Sequence, residues 1–139
     1  LIQENLHANP WAVLVATMLL NLTRGDAVRP VLWVLLGWKG YVCRPPCTLD
    51  ALTNLFRPLG LQNIRAVRLV RLSRAFVKWN FGKNTSTDTH NGSTRLPPLP
   101  GVGAYARESY ELFCEDAERW RSEVGDKELK RYVGWRRGV

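Results

Sequence analysis

Apolar residues in this chain recur in runs or at helical spacing, and no stretch alternates apolar and polar positions in the way a half-buried strand requires. Residues 11–22 are apolar nearly all round, which predicts a buried central helix. Asn9 can cap it, and Pro10 takes the first position, where a missing N–H costs nothing. Asp26 starts a second helix that tolerates Pro30 in its first turn and ends at Gly37. Arg44, Pro45 and Pro46 break the chain. Thr48 then caps a short helix over 49–57, which Pro58 and Gly60 terminate.

The clearest amphipathic helix covers 63–80. Ile64, Val67, Leu72, Phe76 and Trp79 lean inward, and Arg65, Arg68, Arg71, Arg74 and Lys78 lie mostly outward. Such a basic stripe is more often a solvated face than a nucleic-acid contact, and none of these residues is taken as a site residue. Residues 82–94 (GKNTSTDTHNGST) are polar throughout and predict a mobile surface loop. A helix over 104–114, a connection over 115–125 and a last helix over 127–137 capped by Asp126 complete the reading. The expected fold class is all-α.

A string of five residues changes this picture. Leu99-Pro100-Gly101-Val102-Gly103 precedes a helix start, and two glycines one residue apart allow positive φ and close approach of another backbone. The free N–H groups of the next helical turn point back at such a hairpin, so it is an anion site as well as a helix–helix turn. The net charge of +8 makes a polyanion the natural partner, nucleic acid or an anionic surface. A membrane span is excluded, because the longest apolar run, 11–20 with Thr17 inside it, falls short of the roughly 20 residues required. The 139 residues are expected to form one domain or two fused subdomains, and a start at Leu1 without Met predicts a piece of a longer protein. Three cysteines, Cys43, Cys47 and Cys114, are an odd count without repeated spacing, which fits a reducing compartment better than a disulfide framework. Cys43 and Cys47 supply half of a zinc site at most, with His7 and His90 isolated, so no metal is expected.

The hairpin resembles that of the helix-hairpin-helix (HhH-GPD) DNA glycosylase superfamily. Seven further segments, in order, resemble its methyl-CpG-binding thymine/uracil mismatch branch: L-I-Q-E, N-P-W, L-L-N-x-T, P-V-L-W, R-P-L-G-L-x-x-I-R-A, E-S-Y-x-L-F-C and G-D-K-E-L-K-R-Y. The resemblance implies one domain over 1–139 with two lobes and a cleft: a barrel-like lobe over roughly 20–103, and a second lobe from the N-terminal helix with 104–139. It implies a monofunctional enzyme of base excision repair that hydrolyses the N-glycosidic bond of thymine or uracil opposite guanine. It would work as a nuclear monomer on double-stranded DNA, without a cofactor. The iron–sulfur cluster of some members needs cysteines after the catalytic Asp, and none follows Cys114.

Glycosidic cleavage builds oxocarbenium character on the sugar, and a carboxylate stabilises it and orients the attacking water. Asp126 lies far enough beyond Gly103 for one helix and a connection back, and the dipole of the following helix favours its charged form. It reads as an N-cap and as the catalytic group together. Tyr105 stands where strand-cutting members carry a Schiff-base lysine, so the resemblance implies a base contact and no lyase step. It also implies a pyrimidine pocket from Gln3 with the Ile2 backbone, and phosphate contacts from Pro100, Gly101, Val102 and Gly103. Leu22, Leu59 and Leu61 would fill the gap left by a flipped base. Leu22 and Glu128 depart from the pattern, standing where close relatives have Arg and Lys. A catalytically silent helix-hairpin-helix binding module is the rival reading.

Overall fold

A computed structural model describes residues 1–6, 9–37, 49–85, 96–115 and 124–138, with the side chains of 80–85 and 115 left aside. Among these residues there are seven α-helices and no strand, so the fold is all-α as expected. The chain divides into two compact units, one formed by Leu1–Met18 with Val102–Val139 and the other by Leu19–Gly101.

The first unit contains α1 (Ile2–Leu6), most of α2 (Pro10–Leu20), α6 (Ala104–Tyr110) and α7 (Lys127–Arg136). The Asn9 cap forms as its sequence predicts, the side chain accepting from the Ala12 N–H at 3.2 Å. From Trp11 to Leu19 every residue of α2 is buried, as an all-apolar helix must be. The helix stops at Leu20, two residues short of the expected end at Leu22. A second core cluster gathers Leu112, Val124, Leu129, Tyr132 and Val133, with Tyr105 and Phe113 packed on it. The Phe113 and Tyr132 rings lie 4.9 Å apart at a tilt, a favourable aromatic contact. After α6 the chain does not continue as α-helix to residue 114: Glu111–Glu115 is a single π-helical turn. The sequence pattern passed over α1, which is too short for a helical period to show.

The second unit holds α3 (Gly25–Gly37), α4 (Leu49–Phe56), a 3-10 turn (Arg57–Leu59) and α5 (Gln62–Thr85), with α4 against α5 as its most extensive pair. Val28, Leu32, Leu52, Phe56, Leu69 and Leu72 fill its interior. Because α3 starts at Gly25, Pro30 falls in its second turn rather than its first. Residues 82–85, expected in a loop over 82–94, belong to α5, which runs through Thr85; residues 86–94 lie outside the described residues. Thr48, assigned as a cap, lies outside them as well.

The faces of α5 also differ from the expectation. Ile64 is half exposed, whereas Arg65 is buried at 4% exposure. The buried stripe is Arg65, Ala66, Leu69, Leu72 and Ser73, a helical face that places the arginine, not the isoleucine, toward the interior. Arg68, Arg71, Arg74 and Lys78 remain exposed.

Two turns of this unit carry a local cost. Leu22 (φ 59°) and Leu61 (φ 50°) are the non-glycine residues with left-handed backbones among those described. A left-handed leucine is less stable than glycine there by about 1–2 kcal/mol. Neither gains packing in return, for Leu22 is 91% and Leu61 55% exposed.

Candidate active site

Asp126 is the N-cap of α7. Its extended backbone (φ −72°, ψ 142°) turns the side chain onto the helix start, where Oδ1 accepts from the Glu128 N–H at 2.8 Å and the Leu129 N–H at 3.1 Å. A cap of this kind stabilises a helix by about 1 kcal/mol. Both bonds end on Oδ1, and among the described residues no donor reaches Oδ2. One oxygen therefore serves the fold and the other is open to chemistry.

The peptide groups just before α7 are held from α6. The Glu108 carboxylate accepts from the Gly125 N–H at 2.8 Å through Oε1 and from the Asp126 N–H at 3.1 Å through Oε2. Two charge-assisted bonds to consecutive amides fix the turn on which Asp126 sits. Glu128 occupies the first turn of α7, where the dipole favours an acid, and pairs with Arg131 at 3.3 Å.

In the same unit, Tyr105 opens α6 and its hydroxyl oxygen accepts from Gln3 Nε2 at 2.8 Å. The Gln3 amide also reaches Ser109 Oγ at 3.4 Å. Gln3 is fully buried on α1, yet its Oε1 finds no hydrogen-bond partner. An orphaned buried carbonyl costs roughly 1–3 kcal/mol. Ile2 is buried beside it in the chain. Burial raises the Tyr105 phenol above the ordinary tyrosine value, and although the Gln3 bond opposes this, the Asp126 and Glu128 charges add to it. The fold thus keeps Tyr105 a neutral phenol within electrostatic reach of Asp126. Gln3, Tyr105 and Asp126 come together in one unit; Glu108 and Ser109, which the sequence reading missed, support them. Their positions three and four after Tyr105 put them near its face of α6, which was the available signal.

The hairpin is only partly as expected. Gly101 has positive φ (77°), but Gly103 is extended (φ −94°, ψ −168°), a conformation any residue adopts. A Cβ on Gly103 would meet open space, and no side chain caps α6 there, so its first-turn amides are left without a side-chain acceptor. Pro100 is exposed and Val102 half-buried.

Leu22, Leu59 and Leu61 belong to the second unit, where Arg65 ties their turns together. Its Nη1 donates to Leu59 O at 3.0 Å, and its Nη2 donates to Asn21 O at 3.1 Å and to Thr23 Oγ1. Burial, followed by the charge of Arg68, lowers its pKa from the ordinary arginine value. An open cavity of about 440 Å³ lies elsewhere, along Leu1, Glu4, Glu128, Arg131, Tyr132 and Trp135 of the first unit. The residues weighed for a metal, His7, Cys43, Cys47 and His90, lie outside the described residues.

No protein-family model matches the chain. It is 34% identical over 119 residues to a "Methyl-CpG-binding domain protein 4-like protein" of Arabidopsis thaliana, a match covering 82% of this chain and 23% of that protein. It is 31% identical over 105 residues to a "Thymine/uracil-DNA glycosylase" of Pyrobaculum aerophilum, covering 70% and 41%. A "Thymine-DNA glycosylase" of Aeropyrum pernix matches at 31% over 99 residues, covering 70% and 42%. The chain thus spans less than half the length of each of these relatives. Over that span, it is related to DNA glycosylases.

Proposed function

We propose that this chain is a monofunctional DNA glycosylase domain that hydrolyses the N-glycosidic bond of thymine or uracil opposite guanine in duplex DNA. The observation that carries the reading is the cluster of Gln3, Tyr105 and Asp126, with the unpartnered Gln3 Oε1 at one end. Thymine and uracil share an imide N3–H donor that such a carbonyl accepts, whereas unprotonated cytosine presents a lone pair at N3. Gln3 is fully covered, so a base reaches it only if Tyr105 or α1 shifts.

The open Asp126 oxygen then stabilises the oxocarbenium charge at the sugar and aligns or deprotonates the water that replaces the base. The proton on Tyr105 makes the phenol a donor toward the base, and a phenol forms no Schiff base, so the product is an intact abasic strand. The uncapped amides at Gly103 and the positive-φ turn at Gly101 serve a backbone phosphate, positioning the duplex without reading its sequence. Leu22 and Leu61 fill the space left by the base. The protein acts as a nuclear monomer and needs no metal or cofactor for this step.

Incubation with duplexes bearing G·T, G·U or oxidised bases, followed by alkali, tests the reading. The expected result is alkali-labile sites from G·T and G·U alone. Tight mismatch binding with no alkali-labile site from any duplex would favour the silent binding module. Cleavage before alkali would overturn the monofunctional assignment.

A further inference from the structure

Arg65 is an expensive residue for its position. The stripe it shares with Ala66, Leu69 and Leu72 is otherwise suited to apolar packing, and an aliphatic side chain there would avoid burying a charge. Its three side-chain acceptors are all neutral, and no carboxylate neutralises it among the described residues. What the guanidinium gains instead is reach across the chain. One of its nitrogens holds the turn before α5 and the other holds the turn after α2, while its own backbone N–H donates to Leu61 O at 2.9 Å. The guanidinium is planar and rigid, so these bonds set the two turns at a fixed separation and angle. On each turn sits an exposed leucine with a left-handed backbone, a conformation that persists only where the surroundings over-determine it.

We infer that Arg65 is a positioning residue that locks the 21–23 turn to the 59–61 turn, so that Leu22 and Leu61 enter the DNA as a single wedge. The inference rests on the reading above that these leucines fill the gap beside a flipped base. Two side chains held by one rigid clamp act together: the second adds little once the first is lost. Freed from the clamp, each leucine acts on its own account.

The test is a double-mutant cycle on single-turnover release of uracil from a G·U duplex, with Leu22→Ala, Leu61→Ala and the double variant, in native and Arg65→Lys backgrounds. Lys keeps the charge and the stem but cannot bridge both turns. With Arg65 present, the double variant should be slower than the worse single variant by less than about twofold. With Arg65→Lys, the two single factors should multiply, so that the coupling falls by about fivefold or more. Factors that multiply in both backgrounds, or in neither, overturn the inference. Thr23→Val, which removes one acceptor and leaves Arg65 in place, should give an intermediate coupling if Arg65→Lys does not fold.

A readout without substrate separates this outcome from failure of the glycosylase reading. Amide order parameters of residues 21–23 and 59–61 should fall together in Arg65→Lys, or in Thr23→Val, and stay unchanged in Arg68→Lys. Unaltered order in the clamp variants overturns the inference whether or not the protein releases bases.

Discussion

The two units fix their functional turns with opposite charges. In the first, a carboxylate, Glu108, collects the N–H groups of Gly125 and Asp126. In the second, a guanidinium, Arg65, collects the carbonyls of Asn21 and Leu59. The difference follows from which backbone groups each turn leaves unpaired. A helix start presents spare donors and calls for an acceptor, whereas the end of α2 and the 3-10 turn present spare acceptors and call for a donor. The environments differ as well, since Glu108 is partly exposed and Arg65 is buried. A clamp next to solvent sets geometry at little cost to stability; a buried one becomes part of the core. Removing Glu108 should therefore cost rate, and removing Arg65 should cost stability too.

The largest expected effect concerns what the first clamp holds. Asp126→Asn should slow base release by roughly a hundred- to thousandfold, because it removes the charge facing the developing cation. Duplex binding should stay within a few-fold, as read by single-turnover release beside a mobility-shift titration. Near-native release would remove Asp126 from the chemistry and leave Glu108 holding only a helix cap.

The contrast itself is sharpened by Arg65→Met against Glu108→Gln in urea unfolding. Arg65→Met should lose about 1–3 kcal/mol, since it leaves the part-buried Asn21 and Leu59 carbonyls without their donor. Glu108→Gln should lose about 1 kcal/mol or less, while base release slows about tenfold because the turn below Asp126 loosens. Equal losses of stability would break the comparison.

A smaller effect of opposite sign is expected at the strained turn. Leu22→Gly should stabilise the protein by about 0.5–1 kcal/mol, because glycine relieves the left-handed backbone and the lost side chain was in water. Binding to a mismatched duplex should weaken at the same time, as measured by fluorescence anisotropy. Loss of stability would mean that Leu22 packs in the free protein.

The smallest effect is alkaline. The folded state raises the Tyr105 pKa, so the fold favours the neutral phenol, and the resulting stability is intact below the ordinary tyrosine range. It is lost as pH rises through the folded value. Urea midpoints should therefore fall more steeply above about pH 10 in the native protein than in Tyr105→Phe.

What was legible in the sequence follows from which signals are local. The Asn9 and Asp126 caps, the all-apolar α2 and the start of α7 depend on neighbours along the chain, and each stands where the pattern put it. The inversion of Ile64 and Arg65 is hidden because a charged residue on a basic helix reads as solvated, and two of its three partners lie 42 and 44 residues away in the sequence. Two glycines one residue apart allow positive φ at either position, and only Gly101 uses it. The roles of Glu108 and Ser109 escaped because α6 is short and its pattern ordinary. The segment L-P-G-V-G and the resemblance it carries located Asp126, Tyr105 and Gln3, whereas hydrophobic periodicity alone would have left Gln3 as an unremarkable N-terminal glutamine.

Gly125 is a glycine for an uncommon reason. Its backbone is not left-handed, so φ does not require it, but a Cβ there would lie 3.0 Å from Glu108 Oε1. The oxygen cannot withdraw without loosening its bond to the Gly125 amide. A side chain at 125 would have to displace the acid at 108 by a few tenths of an ångström, and the turn below Asp126 would feel the shift. One carboxylate thus sets how much room this turn leaves at residue 125.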